Sequence, residues 1–191
     1  MKFSNWNNHR RIAGRHSELS PSQYSWVNYD DDKLITVHTN RMRVEEGTKK
    51  HEYASMAIKL GIKQRRANDA LTMFINDAIR YDMDSEVMLS YDEDYAFGTT
   101  DAIFLDVDKR QLKVFDLKTG QTKASFIQLD IYVAYCLLEY GLDPHDFEIE
   151  ERIYQYDGYE VQEPDPDAIF DLMMLIVRFV DILREFDSNN S

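Results

Sequence analysis

The chain has 191 residues, 43% of them hydrophobic and 30% charged, a composition that suits one folded domain with a single core and excludes a wholly disordered protein. Cys136 is the only cysteine, which excludes an internal disulfide framework, a Cys-based zinc site and a four-cysteine iron–sulfur cluster. A net charge of −13 argues against a broadly basic surface for nucleic acid.

In chain order, residues 1–20 read as a basic arm: Lys2, Arg10, Arg11 and Arg15 meet no acid through residue 17. No apolar run follows them, so no secretory signal is expected and a reducing cytoplasm is the expected location. Ser20-Pro21 caps and opens a short helix to about Tyr29, which the run Asp30–Asp32 then breaks. From Arg41 to Leu60, apolar and small residues at Val44, Thr48, Ala54, Ala57 and Ile58 fit a helix ended by Gly61. A further helix is predicted over Arg65–Tyr81, with Leu71, Phe74, Ile75 and Ala78 on one face. Residues 41–66 carry eight basic side chains against three acids, so with the arm they hold twelve of the 22 basic residues. The acids crowd at Asp30–Asp32, Asp92–Asp94 and Asp143–Asp167. Such segregation allows one face to meet a polyanion while another repels it.

Glu86–Tyr91, Ala96–Val107 and Gln111–Leu117 are rich in β-branched and aromatic residues, with a tight turn at Asp108-Lys109-Arg110. They are predicted to form an antiparallel three-stranded meander. Lys123–Tyr140 returns to helical spacing and closes at Gly141, and Phe147–Tyr156 alternates as a fourth strand. Asp165-Pro166 opens a final helix, Asp167–Phe186, apolar on three sides and therefore expected to be well buried. Its most apolar stretch, residues 169–180, is interrupted by Asp171 and Arg178, so no membrane helix and no membrane partner are expected. The sum is an α/β (α+β) domain over residues 21–191: a central mixed sheet with a three-stranded meander, flanked by helices.

Chemistry concentrates on the meander. Asp101 lies in Gly98-Thr99-Thr100-Asp101, and Asp116 ends the third strand in Val114-Phe115-Asp116-Leu117-Lys118. Alternation puts Asp116 and Lys118 on one face and turns Leu117 inward. If the two strands pair, Asp101 faces the same cleft, and two carboxylates form a hard-oxygen site for Mg²⁺ or Mn²⁺, to which the Leu117 carbonyl can add an oxygen. Such an ion polarises a phosphoryl oxygen, and a nearby lysine balances developing negative charge. Alone, an Asp-x-Lys at a strand end reads as a surface ion pair. Three features add to it. His51 in Gly47-Thr48-Lys49-Lys50-His51-Glu52 can supply an imidazole ligand. Gln128 and Tyr132, four apart on a helix, can point at one target. The element order also puts that helix beside the end of the third strand.

Together these motifs resemble the PD-(D/E)xK nuclease superfamily in its RecB-like exonuclease branch, which includes CRISPR-associated RecB-like exonucleases. The matching segments are Gly47–Glu52, Asp101, Phe115-Asp116-Leu117-Lys118-Thr119-Gly120 and Gln128–Tyr132, and His16–Ser22 resembles the opening of phage-encoded members. The resemblance implies a restriction-endonuclease-like core, metal binding by His51, Asp101 and Asp116, catalysis by Lys118, and substrate positioning by Gln128 and Tyr132. With the clustered cysteines of the iron–sulfur members missing, a cluster-free relative is implied. The expected activity is a Mg²⁺- or Mn²⁺-dependent DNA exonuclease, with DNA as partner and room for a recombination or replication protein. The acidic composition keeps a second reading open, a catalytically silent nuclease scaffold that binds a protein partner; RNA as substrate is a third.

Other residues read more plainly. Trp26 and Tyr29 are expected to pack the first helix, and Met56, Met73, Met83, Met88, Met173 and Met174 to fill the core. Cys136 reads as an inert buried thiol. Glu86 is an additional carboxylate near the metal or, ahead of that, a surface residue.

Overall fold

The computed structural model describes residues 21–65, 67–120 and 123–190. The arm expected over 1–20, with His16–Ser20 of the opening motif, lies outside them. The contacts divide the chain into two units, Met1–Glu45 and Glu46–Ser191.

In the first unit a 3-10 helix, Pro21–Asn28, precedes the start of α1, Asp31–Lys59. The acidic run ends the first helix, as expected, and also begins the next. The Asp30 carboxylate accepts the Lys33 N–H at 2.7 Å, while Asp31 and Asp32 occupy the first turn, where the helix dipole favours negative charge. Within α1, the Thr36 and Thr39 hydroxyls donate to the carbonyls of Asp32 and Ile35, and Arg41 pairs with Glu45 one turn on.

The second unit is α+β, with a five-stranded mixed sheet flanked by helices. The end of α1 and α2 (Ala70–Arg80) lead into β1 (Asp84–Asp92), β2 (Ala96–Asp106) and β3 (Gln111–Lys118). These pair antiparallel, as expected for the meander. Helix α3 (Ile127–Tyr140) carries the chain across to β4 (Glu148–Gln155), which pairs parallel to β3, the connection a parallel pair requires. Helix α2 starts later than expected because Asp69 caps it, accepting the Thr72 N–H at 2.8 Å. Gly61 and Gly141 follow α1 and α3 with φ of 63° and 64°, the left-handed conformation glycine adopts without a Cβ clash.

A fifth strand, β5 (Gly158–Gln162), was not expected; it returns from β4 through Tyr156-Asp157. Tyr159 and Val161 alternate with Glu160 and Gln162 over only five residues, and both are exposed on this edge.

Both faces of the sheet are covered. Leu112 and Val114 of β3 join Leu129, Val133, Leu137, Ile149 and Ile169 on the α3 side, while Phe115 and Leu117 join Ala54, Ile58, Phe74 and Tyr154 on the α2 side. Burial on both faces makes β3 read as a nearly continuous apolar run. On the α2 side Arg152 is 9% exposed, with Nη1 3.1 Å from Asp77, Nη2 3.0 Å from the Tyr81 hydroxyl and its guanidinium 4.8 Å from the Phe115 ring centroid. It clamps α2 onto the sheet.

Helix α4 (Pro166–Asn190) corrects the expectation of deep burial. Only Ile169, Met173 and Val180 are buried, whereas Leu175, Phe179, Ile182 and Phe186 are exposed. Apolar composition marks what can be covered, and one stripe of this helix is. The methionines divide likewise: Met83 and Met173 are core residues, Met73 is half-buried, and Met56, Met88 and Met174 are exposed. No helix among the described residues is long and apolar enough to cross a membrane.

Candidate metal centre

The β2–β3 ladder runs to Ala102 opposite Phe115, and one step further Asp101 stands across from Asp116. There a side chain takes over from the backbone. Asp101 Oδ2 accepts the Leu117 N–H at 2.8 Å, which fixes the carboxylate at the mouth of the separating strands. Leu117, whose carbonyl is the expected ligand atom, also engages the site through its N–H, while its side chain is 2% exposed in the α2-side core.

His51 reaches Asp101 from α1, with Nδ1 3.1 Å from Oδ1. Gly47 makes that approach feasible, since a Cβ there would lie 2.7 Å from Thr119 Oγ1. Residues four apart share a helix face, so close contact at position 47 turns His51 to the strand ends. The hydrogen bond to Asp101 raises the His51 pKa against the opposing effect of burial, and the charges of Asp101, Asp116 and Glu86 add to the rise.

Asp116 is 4% exposed. Burial raises its pKa and the Asp101 charge adds to this, while Lys118 and His51 pull the other way. Its Oδ1 accepts a hydrogen bond from Lys118 Nζ at 3.0 Å. Its Oδ2 lies 2.9 Å from the same ammonium but, fully buried, accepts no hydrogen bond. Lys118 Nζ also donates to Gln128 Oε1 at 2.6 Å, and Gln128 Nε2 donates to the Tyr132 hydroxyl at 3.3 Å. Tyr132 packs against β2 where Gly98 leaves room: a Cβ there would lie 3.0 Å from the tyrosine ring.

The sequence-predicted residues therefore form two joined chains of contacts, His51–Asp101–Leu117 and Asp116–Lys118–Gln128–Tyr132, linked where Asp101 faces Asp116. Glu86 is the addition. One ligand atom each from His51, Glu86 and Asp101 lie within 4.8 Å of one another. Position in the sequence does not reveal this; the β1–β2 register does. An imidazole and carboxylates, one of them buried with an oxygen that accepts no hydrogen bond, are a donor set that fits Mg²⁺ or Mn²⁺.

A scan against protein-family models, a search of curated proteins and a search of solved structures each return no match.

Proposed function

We propose that this chain is a metal-dependent deoxyribonuclease of the PD-(D/E)xK type, with a restriction-endonuclease-like core, acting at DNA ends in recombination, repair or processing. The observation that supports this best is Asp116: a buried carboxylate with one oxygen lacking a hydrogen bond, beside a second carboxylate and a lysine ammonium. A buried acid in that state is costly unless a cation or proton compensates it.

In this reading His51, Asp101 and Asp116 hold the ion, with the Leu117 carbonyl as a further oxygen. A bound Mg²⁺ or Mn²⁺ polarises the phosphoryl oxygen and makes a water more acidic. The residues of the chain do the rest. Lys118, held between Asp116 and Gln128, keeps its ammonium where negative charge develops during in-line displacement. Gln128 and Tyr132, joined to each other, orient the lysine and present polar atoms to the phosphate backbone. Asp101 keeps His51 and the end of β3 in fixed relation.

The test is incubation of the purified protein with end-labelled single-stranded, duplex and circular DNA, and matched RNA, each with Mg²⁺ or Mn²⁺. Metal-dependent loss of label from linear DNA, with circular DNA spared, is expected. No cleavage of any nucleic acid with either ion overturns the reading.

A further inference from the structure

We infer that Glu86 is a metal-binding side chain of the same centre, adding a carboxylate from β1 to those of β2 and β3. This rests on the proposed divalent site and goes beyond the ligands named above.

Ser85 pairs with Ala102 and Val87 with Thr100 in one constant register, which sets Glu86 across from Asp101. Glu86 itself has φ of 55°, a left-handed conformation that a side chain rarely adopts within a strand. The neighbouring contact shows what holds it there. Ser85, 6% exposed, shares a hydrogen bond of 3.1 Å with Ser55, also buried. Ser55 is one helical turn beyond His51 on α1, so the Ser55–Ser85 contact docks α1 on β1 with His51 opposite Glu86. Two positions one turn apart on the helix thus meet two adjacent positions on the strand.

Like charges directly opposite on neighbouring strands repel. Glu86 and Asp101 stand so, and among the described residues no lysine or arginine forms an ion pair with Glu86. Across Asp101 lies Asp116, 4% exposed, with a carboxylate oxygen that accepts no hydrogen bond although Lys118 Nζ lies 2.9 Å from it. Three carboxylates here share one lysine ammonium, that of Lys118 beside Asp116, and one imidazole, and a divalent cation adds positive charge that Glu86, Asp101 and Asp116 can all meet.

The experiment uses the full chain without nucleic acid, so that it is separate from cleavage. Mn²⁺ is the probe because imidazole ligation suits it. Binding is read by titration calorimetry and by loss of the free-ion EPR signal, and the metal-induced rise in Tm is recorded alongside. Wild type is expected to bind Mn²⁺ and gain Tm. Glu86→Gln is expected to lose affinity by about tenfold or more, with its metal-free Tm unchanged. Glu86→Asn, a residue at ease with positive φ, is expected to show the same loss and guards against a folding artefact. Glu93→Gln, on the exposed β1–β2 turn, is expected to bind as wild type. Binding by Glu86→Gln or Glu86→Asn within twofold of wild type overturns the role of Glu86 and leaves the divalent site standing. Absence of Mn²⁺ binding by wild type overturns both.

Discussion

Glu151 sits on β4 with no exposed surface, and its Oε1 meets no donor among the described residues. Burial, followed by the nearby Asp130 charge, pushes its pKa up to about 9, and Asp130 is raised as well. A proton shared between the two carboxyls accounts for the apparently orphaned oxygen, with Gln162 Nε2 bonding to both residues. The fold therefore favours the protonated form. The associated stability is fully present below the ordinary glutamate range and is lost as pH rises from about 4.5 towards 9. Thermal denaturation of wild type at pH 5 and pH 9 is expected to show a falling Tm. Glu151→Gln, a neutral isostere, should flatten that dependence. Each kcal/mol at stake moves Tm by about 2–4 °C in a domain of this size, and parallel pH profiles in the two proteins would refute the shared proton. Asp116 presents the same physics with another partner at hand: burial and the Asp101 charge raise its pKa, and the Lys118 ammonium beside it opposes the rise.

Among the elements, packing can be tested where backbones meet closely. Gly47→Val puts branched bulk where even a Cβ would lie 2.7 Å from Thr119 Oγ1. It should displace α1 from the end of β3 and weaken Mn²⁺ binding through His51, with a loss of about 1–3 kcal/mol in stability from overpacking. Unchanged metal affinity in that variant would separate His51 from the site. Arg152→Ala removes the cation shared by Glu150 and Asp77 beneath α2. A loss of about 3 kcal/mol by chemical denaturation is expected, since the acids remain without it. These elements also show what was legible from the sequence. The meander was readable because β2 and β3 carry dense β-branched and aromatic runs broken by a polar turn, and Asp-x-Lys at the end of β3 marked the site. The late start of α2 and the early start of α1 turned on the caps Asp69 and Asp30, which look like any other acids in a linear reading. Strand β5 escaped because its edge faces solvent. Glu86 could not be ranked without the φ and register that set it opposite Asp101.

At the scale of the molecule, charge is the unusual property. A chain of net −13 repels a polyanion at long range, so the proposed function requires that DNA be engaged through few phosphate contacts and a bound metal. Proteins that neutralise six to ten phosphates lose about 10³–10⁵ in affinity between 50 and 200 mM salt. Here added salt also screens the repulsion, and the apparent affinity for DNA is expected to change by less than about tenfold over that range. A steep fall would point to an extended basic contact surface instead. Exposure of Phe179, Ile182 and Phe186 on α4 belongs to this scale too, since burial of a helix depends on what lies beside it in the whole fold.

The most direct measurement is single-turnover cleavage of end-labelled duplex DNA in Mn²⁺ by wild type, Asp116→Asn and Lys118→Ala. Removing a buried carboxylate ligand or the ammonium beside it should slow cleavage by about 100-fold or more, with far-UV spectra unchanged. Cleavage by either variant at the wild-type rate would contradict a hydrolytic centre built on Asp101, Asp116 and Lys118.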